Sequence, residues 1–188
     1  ETSQKRHFGY VMVRQTEEGP EIIIAPRGTK DQQDVETDLD TAQSPLGVTF
    51  YSMPPLVQPT SSSLEESIQA MNDSLERISA RQNIKVHNGF QQTALSLLPD
   101  VRNTLEALKR EMPEYASAKI FLAGHSLGGA TATLISMWLQ QDKNLAPNGV
   151  ERLVTFGTPS LGNKDFYEVF EKSMGGKDLH VAQKADPV

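Results

Sequence analysis

Apolar positions near the start of the chain predict a β-hairpin. Residues 8–14 alternate loosely between apolar and polar side chains, whereas residues 21–25 contain a run of three isoleucines. Alternation is typical of a strand with one buried face, and a continuous β-branched run is typical of a strand buried on both faces. The turn residues Glu17-Glu18-Gly19-Pro20 separate the two runs, so we expect adjacent antiparallel strands.

The next part of the chain is more polar and predicts loops around one strand and one helix. Residues 30–43 carry five acidic side chains and no continuous apolar face, which is typical of an exposed loop or a short helix. Residues 47–53 predict a strand that ends at Pro54-Pro55. A capping-box pattern at residues 62–66 then starts a helix, whose apolar stripe consists of Leu64, Ile68, Met71, Leu75 and Ile78. This helix either packs on the body of the protein or forms a mobile cap over a site.

Strands and helices alternate over the second half of the chain. Apolar runs predict strands at residues 84–90 (leading into a turn), 119–123, 151–156 and 179–183. Helical patterns occupy the segments between them, after residue 90 and at residues 127–141 and 164–172. The first helix has an apolar side formed by Leu95, Leu98, Val101, Leu105, Leu108 and Met112. Pro99 should kink that helix or start a second segment. The alternation predicts an α/β fold with a mostly parallel sheet and helices on both faces.

Composition and charge narrow the range of partners. The 188 residues fit one domain, and a net charge of −6 without a basic patch argues against a nucleic-acid partner. No run of about 18 apolar residues occurs, so no transmembrane segment is predicted. Cysteines are absent, and neither a metal-ligand spacing nor a Gly-rich phosphate loop is visible. We therefore expect no metal and no cofactor. The chain begins at Glu1 rather than Met, which suggests a mature form or a piece of a longer protein and leaves the compartment open.

The candidate chemistry lies at Gly124-His125-Ser126-Leu127-Gly128, between an apolar run and an Ala-rich helical segment. In a G-x-S-x-G motif of this kind, the serine occupies a sharp turn between a strand and a helix. The strained turn requires small neighbours two residues to either side, and the two glycines supply them. The turn also leaves the first N–H groups of the helix free to face an anion. Ser126 is therefore predicted to be a nucleophile.

Five motifs, taken in order, resemble the class 3 lipases, the family of fungal triacylglycerol lipases and feruloyl esterases. The motifs are Arg27-Gly28-Thr29, Val86-His87-Asn88-Gly89-Phe90, residues 121–130, Val154-Thr155-Phe156-Gly157-Thr158-Pro159 and Ala185-Asp186-Pro187-Val188. They extend over nearly the whole chain from residue 8, which makes the match far more specific than a single motif. The resemblance implies an α/β-hydrolase fold and a serine-dependent carboxylic ester hydrolase, with an acyl ester or lipid as substrate.

An oxyanion hole should accompany the nucleophile. One donor is predicted to be the backbone N–H of Leu127, because that residue directly follows Ser126. The other should come from a loop after a neighbouring strand. The resemblance implies that this donor is Thr29, through its N–H and its hydroxyl.

The acid of a catalytic triad should follow the serine in chain order, beyond a later strand. Asp186 follows the last predicted strand, and the Asp-Pro-Val ending is similar to the family's acid motif. The resemblance therefore implies Asp186 as the acid. Asp165, at a helix start, and Asp178, before a strand, are the competitors, and both have the pattern of surface charges.

The general base is harder to assign. The four histidines are His7, His87, His125 and His180. In this fold the base comes after the acid, but only Pro187 and Val188 follow Asp186. We expect His125 to pack or hydrogen-bond beneath the turn. Of the other three, His7 should be solvated, His87 should belong to a turn, and His180 should lie within the last strand. The base is therefore predicted to lie beyond Val188.

An α/β-hydrolase domain without that segment has two expected properties. Residues 1–188 would form a single domain that is incomplete at its C-terminus, with little esterase activity of its own. An uncovered sheet edge at the C-terminal side would also favour self-association.

The substrate class and two competing functions stay open. Residues 30–43 occupy the place of the family's amphipathic lid, but they hold few large apolar residues, which puts a preference for long-chain triacylglycerols in doubt. Soluble or short-chain esters are an equal alternative. A non-catalytic lipase-like scaffold could also keep the fold, and a different α/β hydrolase, such as an acyltransferase or a peptidase, would share the Ser126 turn.

Overall fold

The computed structural model describes residues 9–28, 42–46 and 83–182. Its first two strands, β1 (Gly9–Thr16) and β2 (Gly19–Pro26), pair antiparallel and confirm the predicted hairpin. Gly19 has a φ of 111° in the turn between them, a backbone conformation that favours glycine. The predicted strand at residues 47–53 and the striped helix after residue 62 lie outside the described residues.

A second, smaller sheet precedes the first described helix. Strands β3 (Gln43–Pro45) and β4 (Lys85–His87) pair antiparallel. Helix α1 (Asn88–Glu111) begins directly after β4, so Phe90 is helical and not part of a turn. Pro99 lies inside one continuous helix and does not start a second segment. On the predicted apolar side of the helix, Leu98, Val101 and Leu105 are buried, and the other three residues are partly buried. This packing offsets the hydrogen bond that the proline cannot make.

The remaining elements alternate as predicted. After a short 3₁₀ turn at Pro113–Tyr115, the chain forms β5 (Lys119–His125), α2 (Leu127–Gln141), β6 (Val150–Phe156), α3 (Lys164–Met174) and β7 (Asp178–Val181). The main sheet has the order β1-β2-β5-β6-β7, in which β2, β5, β6 and β7 are parallel. The carboxyl ends of the parallel strands therefore meet at one edge of the sheet.

Helix α2 is the centre of the core. Its residues from 127 to 139 are all buried, and it contacts three strands as well as α1 and α3. The buried polar side chains in this helix are short. Thr131 and Thr133 donate to carbonyl oxygens four residues earlier, which satisfies their hydroxyls without solvent.

The helices of the described residues lie on one face of the sheet. Ile24 of β2, Leu97 of α1 and Ile135 of α2 line one cavity of about 330 Å³, and α3 packs against α2. Side chains that point to the other face are less buried. Phe156, Leu179 and Val181 on that face are 45%, 48% and 43% exposed.

Candidate active site

Ser126 occupies the turn between β5 and α2 in a strained backbone conformation. Its φ is 54° and its ψ is −129°, and within the described residues it is the one non-glycine with a positive φ. Such a conformation persists only when the surrounding structure imposes it. The strand, the strained serine and the helix follow one another in the predicted order.

Glycines on either side allow this turn. A Cβ atom on Gly124 would collide with the carbonyl of Gly128, so the two glycines are in direct backbone contact. This contact explains the small residues at both positions of the motif. Any side chain at residue 124 would push the start of α2 away from β5.

The backbone of Ser126 is held on both sides. Its N–H donates to the carbonyl oxygen of Phe156 at 3.0 Å, and its own carbonyl accepts from the amides of Gly129 at 2.8 Å and Ala130 at 3.1 Å. The intrahelical bonds thus begin at Gly129. The amides of Leu127 and Gly128 precede them and belong to the unsatisfied first turn, which is suited to an oxyanion.

The end of β2 lies directly against this turn. A Cβ on Gly128 would meet the carbonyl oxygen of Pro26, and a Cβ on Gly28 would lie 2.8 Å from the carbonyl oxygen of His125. Residues 26–28 therefore run beside the turn that holds Ser126. Thr29, the predicted second oxyanion donor, is the next residue and lies outside the described residues.

The predicted acid, Asp186, also lies outside the described residues. Strand β7 leads towards it and runs parallel to β5 and β6, so the end of β7 is at the same edge as Ser126. The two competing aspartates are accounted for otherwise. Asp165 is in the first turn of α3, and Asp178 starts β7 at the opposite end, where its carboxylate is 3.3 Å from His180 Nε2.

The described histidines make contacts with residues other than Ser126. His87 is buried and stacks on Phe90 with ring centroids 3.8 Å apart, while His180 Nδ1 lies 2.5 Å from Thr155 Oγ1. His125 is exposed, so the expectation that it packs beneath the turn was wrong. His125 pairs in register with Phe156 of β6, so the two side chains share the more exposed face of the sheet. Between residues 83 and 182, no histidine is hydrogen-bonded to the Ser126 hydroxyl.

Sequence reasoning missed the role of the loop after β6. The last residue of β6, Phe156, supplies the carbonyl that accepts the Ser126 N–H, and the loop places Thr158 against Gly129 in the first turn of α2. Gly157 has a φ of 51°, and its N–H donates to Val181. The signal in the sequence is the Gly157-Thr158-Pro159 part of the fourth family motif, to which the sequence analysis assigned no role in the site.

The clearest electrostatic pair on β5 lies at the strand's other end. Glu18 and Lys119 are 2.6 Å apart, and this hydrogen bond lowers the pKa of Glu18 and raises the pKa of Lys119. Because Glu18 is exposed and Lys119 is partly exposed, the pair is screened by solvent. Within the described ranges, no three His, Asp or Glu side chains are grouped so that they could hold a metal ion.

Comparison with known proteins identifies the family. The model of the family "Lipase (class 3)" matches residues 23–188. The chain belongs to the class 3 lipases. Its sheet and helices have the α/β-hydrolase fold, as shown by its likeness to a fungal lipase–inhibitor complex (TM-score 0.61, 23% identity) that covers 96% of this chain and 54% of the lipase.

Two lipase sequences show the extent of the similarity. The secreted mono- and diacylglycerol lipase 1 of Fusarium solani is 32% identical over 103 residues, which are 55% of this chain and 28% of that enzyme. The secreted mono- and diacylglycerol lipase MDL2 of Malassezia globosa is 34% identical over 109 residues, 57% of this chain and 33% of that enzyme. The matched part thus spans a third or less of these relatives. In the part of this class 3 lipase chain that the structure describes, no helix has the length and apolar character needed to cross a membrane.

Proposed function

We propose that the protein is a serine-dependent carboxylic ester hydrolase that acts through an acyl-enzyme on Ser126. The observation that carries the proposal is the strained Ser126 backbone between β5 and α2, with the first-turn amides of α2 beside it. Strain of this kind, placed at the carboxyl edge of a parallel sheet, is typical of an activated nucleophile. Membership of the class 3 lipases supports the same reaction class.

In the proposed reaction, Ser126 Oγ attacks the carbonyl carbon of the ester while a base removes its proton. The carbonyl oxygen becomes an oxyanion, which accepts hydrogen bonds from the Leu127 N–H and from Thr29. Removing one donor of this kind typically lowers kcat by about 10²–10³. The alcohol leaves with the proton from the base, and water then hydrolyses the acyl-serine by the same steps in reverse order.

The proposed triad is completed by Asp186 and a histidine that follows it in the chain. His87 is buried in a stack and His180 is bonded to Thr155, which supports a base from elsewhere. Removing the base of a serine triad lowers kcat on the order of 10⁶. We therefore expect residues 1–188 alone to be nearly inactive, and the full-length gene product to be active.

The proposed substrates are mono- and diacylglycerols, or soluble esters with short acyl chains. Two relatives are named as secreted mono- and diacylglycerol lipases, and residues 30–43 hold five acids instead of an apolar lid face. An acidic segment does not bind a lipid surface well. Hydrolysis should therefore rise smoothly as the substrate passes its solubility limit, without a lag.

Hydrolysis assays on the full-length gene product and its Ser126→Ala variant test this proposal. We expect turnover of p-nitrophenyl butyrate and of a monoacylglycerol, with both activities lost in the variant. Equal turnover by the variant would refute the role of Ser126. A clear preference for long-chain triacylglycerol emulsions would refute the substrate class while leaving the mechanism intact.

We also infer that the isolated 188-residue chain self-associates beside β7. β7 is an edge strand of the described sheet, and its Leu179 and Val181 side chains are exposed, as is Phe156 of the neighbouring β6. Edge strands of this kind pair readily with another chain. Size-exclusion chromatography should show oligomers that Leu179→Glu converts to monomer. A wild-type chain that elutes as a monomer would contradict the inference.

A further inference from the structure

Thr158 has a buried hydroxyl that the proposed reaction does not use. Its Oγ1 is shielded from solvent and has no hydrogen-bond partner in the described part of the chain. Burial of a hydroxyl without a partner is unfavourable, and a group of this kind in a folded protein calls for a physical reason. The reason here lies in what the oxygen touches.

The hydroxyl oxygen lies in contact with the α-carbon of Gly129. A Cβ atom built on Gly129 would overlap Thr158 Oγ1 and would lie 3.2 Å from Thr158 Cβ. The Gly129 Cα–H bond that stands in the position of a side chain therefore points towards the Thr158 oxygen, as in a weak C–H···O contact. A methyl group is larger than a hydroxyl oxygen and would not fit this gap.

This contact fixes the distance between two parts of the site. Thr158 follows Phe156 by two residues, and Phe156 accepts the Ser126 N–H at 3.0 Å. Gly129 follows Ser126 by three residues and donates to the Ser126 carbonyl at 2.8 Å. Two contacts thus join this part of the chain to the start of α2. One is the hydrogen bond from Ser126 to Phe156 at the end of β6, and the other is the contact of Thr158, in the loop that follows, with Gly129.

We propose that Thr158 is a positioning residue for Ser126: its hydroxyl sets how closely the loop after β6 approaches the first turn of α2. A larger group would separate the two, lengthen the bond between Ser126 and Phe156, and let the strained serine relax. The Leu127 amide would move with the helix. The inference rests on the proposed function, since it assigns a role in keeping the nucleophile and its oxyanion donor in register.

Three variants of the full-length gene product separate this role from simple packing. Thr158→Val exchanges the hydroxyl for a methyl, and Thr158→Ser keeps the hydroxyl. Thr133→Val is the matched control, because it makes the same exchange of a hydroxyl for a methyl at another buried threonine of this region, whose hydroxyl donates to the Gly129 carbonyl. Reaction with a fluorophosphonate and steady-state ester hydrolysis are measured for each variant.

We expect Thr158→Val to lower the labelling rate and kcat by about 10–100-fold with little change in KM, which is the scale of a displacement of about 1 Å. Thr158→Ser and Thr133→Val should label at close to the wild-type rate. The proposal would be overturned if Thr158→Val reacted with the fluorophosphonate at the wild-type rate and had a Tm equal to or higher than that of the wild type. The buried hydroxyl would then be only a packing defect.

Amide hydrogen exchange provides a readout that does not depend on catalysis. In Thr158→Val the Ser126 amide should exchange faster, while the amides of the β2–β5 ladder keep their protection. Unchanged exchange at Ser126 would overturn the proposal even if the wild-type protein failed to label. If the wild-type protein does not react with the fluorophosphonate, but the Ser126 amide still exchanges faster in Thr158→Val than in the wild type, only the proposed ester hydrolase function is contradicted.

Discussion

The carbonyl oxygen of Pro26 occupies the position that a side chain on Gly128 would need. Pro26 ends β2, and Gly128 is the second residue of α2, so this contact joins the nucleophile turn to the strand that leads to Thr29. The predicted donor Leu127 directly precedes Gly128, and the predicted donor Thr29 follows Pro26 by three residues in the sequence. We therefore expect the absence of a side chain at residue 128 to matter for the oxyanion hole.

Gly128→Ala should lower turnover by about 10²-fold or more, because the added methyl displaces the end of β2 from the helix. Gly176→Ala is the matched control: Gly176 has a φ of 76°, but a Cβ there meets nothing within 4 Å. The control should lose about 1 kcal/mol of stability through backbone strain and keep its activity per folded molecule. Equal activity of the two variants in ester hydrolysis would contradict the role of the contact.

Strain at Ser126 predicts a difference between two inactive variants. Ser126→Gly removes the energetic cost of the positive φ, because glycine has no Cβ atom, whereas Ser126→Ala retains that cost. The glycine variant should therefore be more stable to urea than the alanine variant by about 1–3 kcal/mol. Glycine normally loses stability relative to alanine through backbone entropy. An alanine variant that is the more stable of the two would show that the turn is not strained.

The assignment of the acid predicts opposite results for two aspartates. Asp186→Asn should lower kcat by about 10⁴-fold, the scale seen when the acid of a serine triad becomes an amide. Asp178→Asn should leave kcat unchanged, because Asp178 lies at the amino end of β7 beside His180. Measurement of kcat and KM on a soluble ester distinguishes the two. Loss of activity in Asp178→Asn alone would transfer the role of the acid to that residue.

Lys109 should stabilise the junction after α2. Its ammonium group donates to the carbonyl oxygens of Leu145 and Asn144. Lys109→Met keeps much of the side-chain length but leaves these acceptors without a donor, at an expected cost of about 1–3 kcal/mol in urea unfolding. A variant as stable as the wild type would show that water replaces the ammonium group without loss.

The pH dependence of that difference follows from the pKa of Lys109. Burial lowers the pKa, against the opposing charge of Asp142, so the folded chain releases the Lys109 proton at a lower pH than the unfolded chain. Between the lowered and the ordinary lysine pKa, the unfolded chain holds more protons, and this group's contribution to the free energy of unfolding rises with pH. Below both values it is constant. The stability difference between wild type and Lys109→Met should thus increase at alkaline pH.

Local patterns predicted most of the described elements. The three isoleucines of β2, the apolar side of α1 and the Gly-rich turn at Ser126 each have a strong period or a steric requirement that the fold preserves. Pro99 was harder, since its local preference to end a helix was outweighed by the burial of neighbouring residues such as Leu98 and Val101.

Features that depend on distant contacts could not be derived from the sequence. The exposure of His125 follows from the direction of its side chain on β5, and the contact between Thr158 and Gly129 joins residues from two different strand–helix units. Neither has a spacing in the sequence that would reveal it. The pattern predicted Ser126 as the nucleophile, and only the packing of the end of β6 and the loop after it showed which groups hold this residue in place.

Ser126 is tested most directly as the nucleophile by mapping the adduct of a fluorophosphonate on the full-length gene product by peptide mass spectrometry. We expect a single adduct on Ser126, formed in parallel with loss of ester hydrolysis and absent from Ser126→Ala. Ester hydrolysis that survives in Ser126→Ala, or an adduct on another residue that accounts for the lost activity, would contradict it.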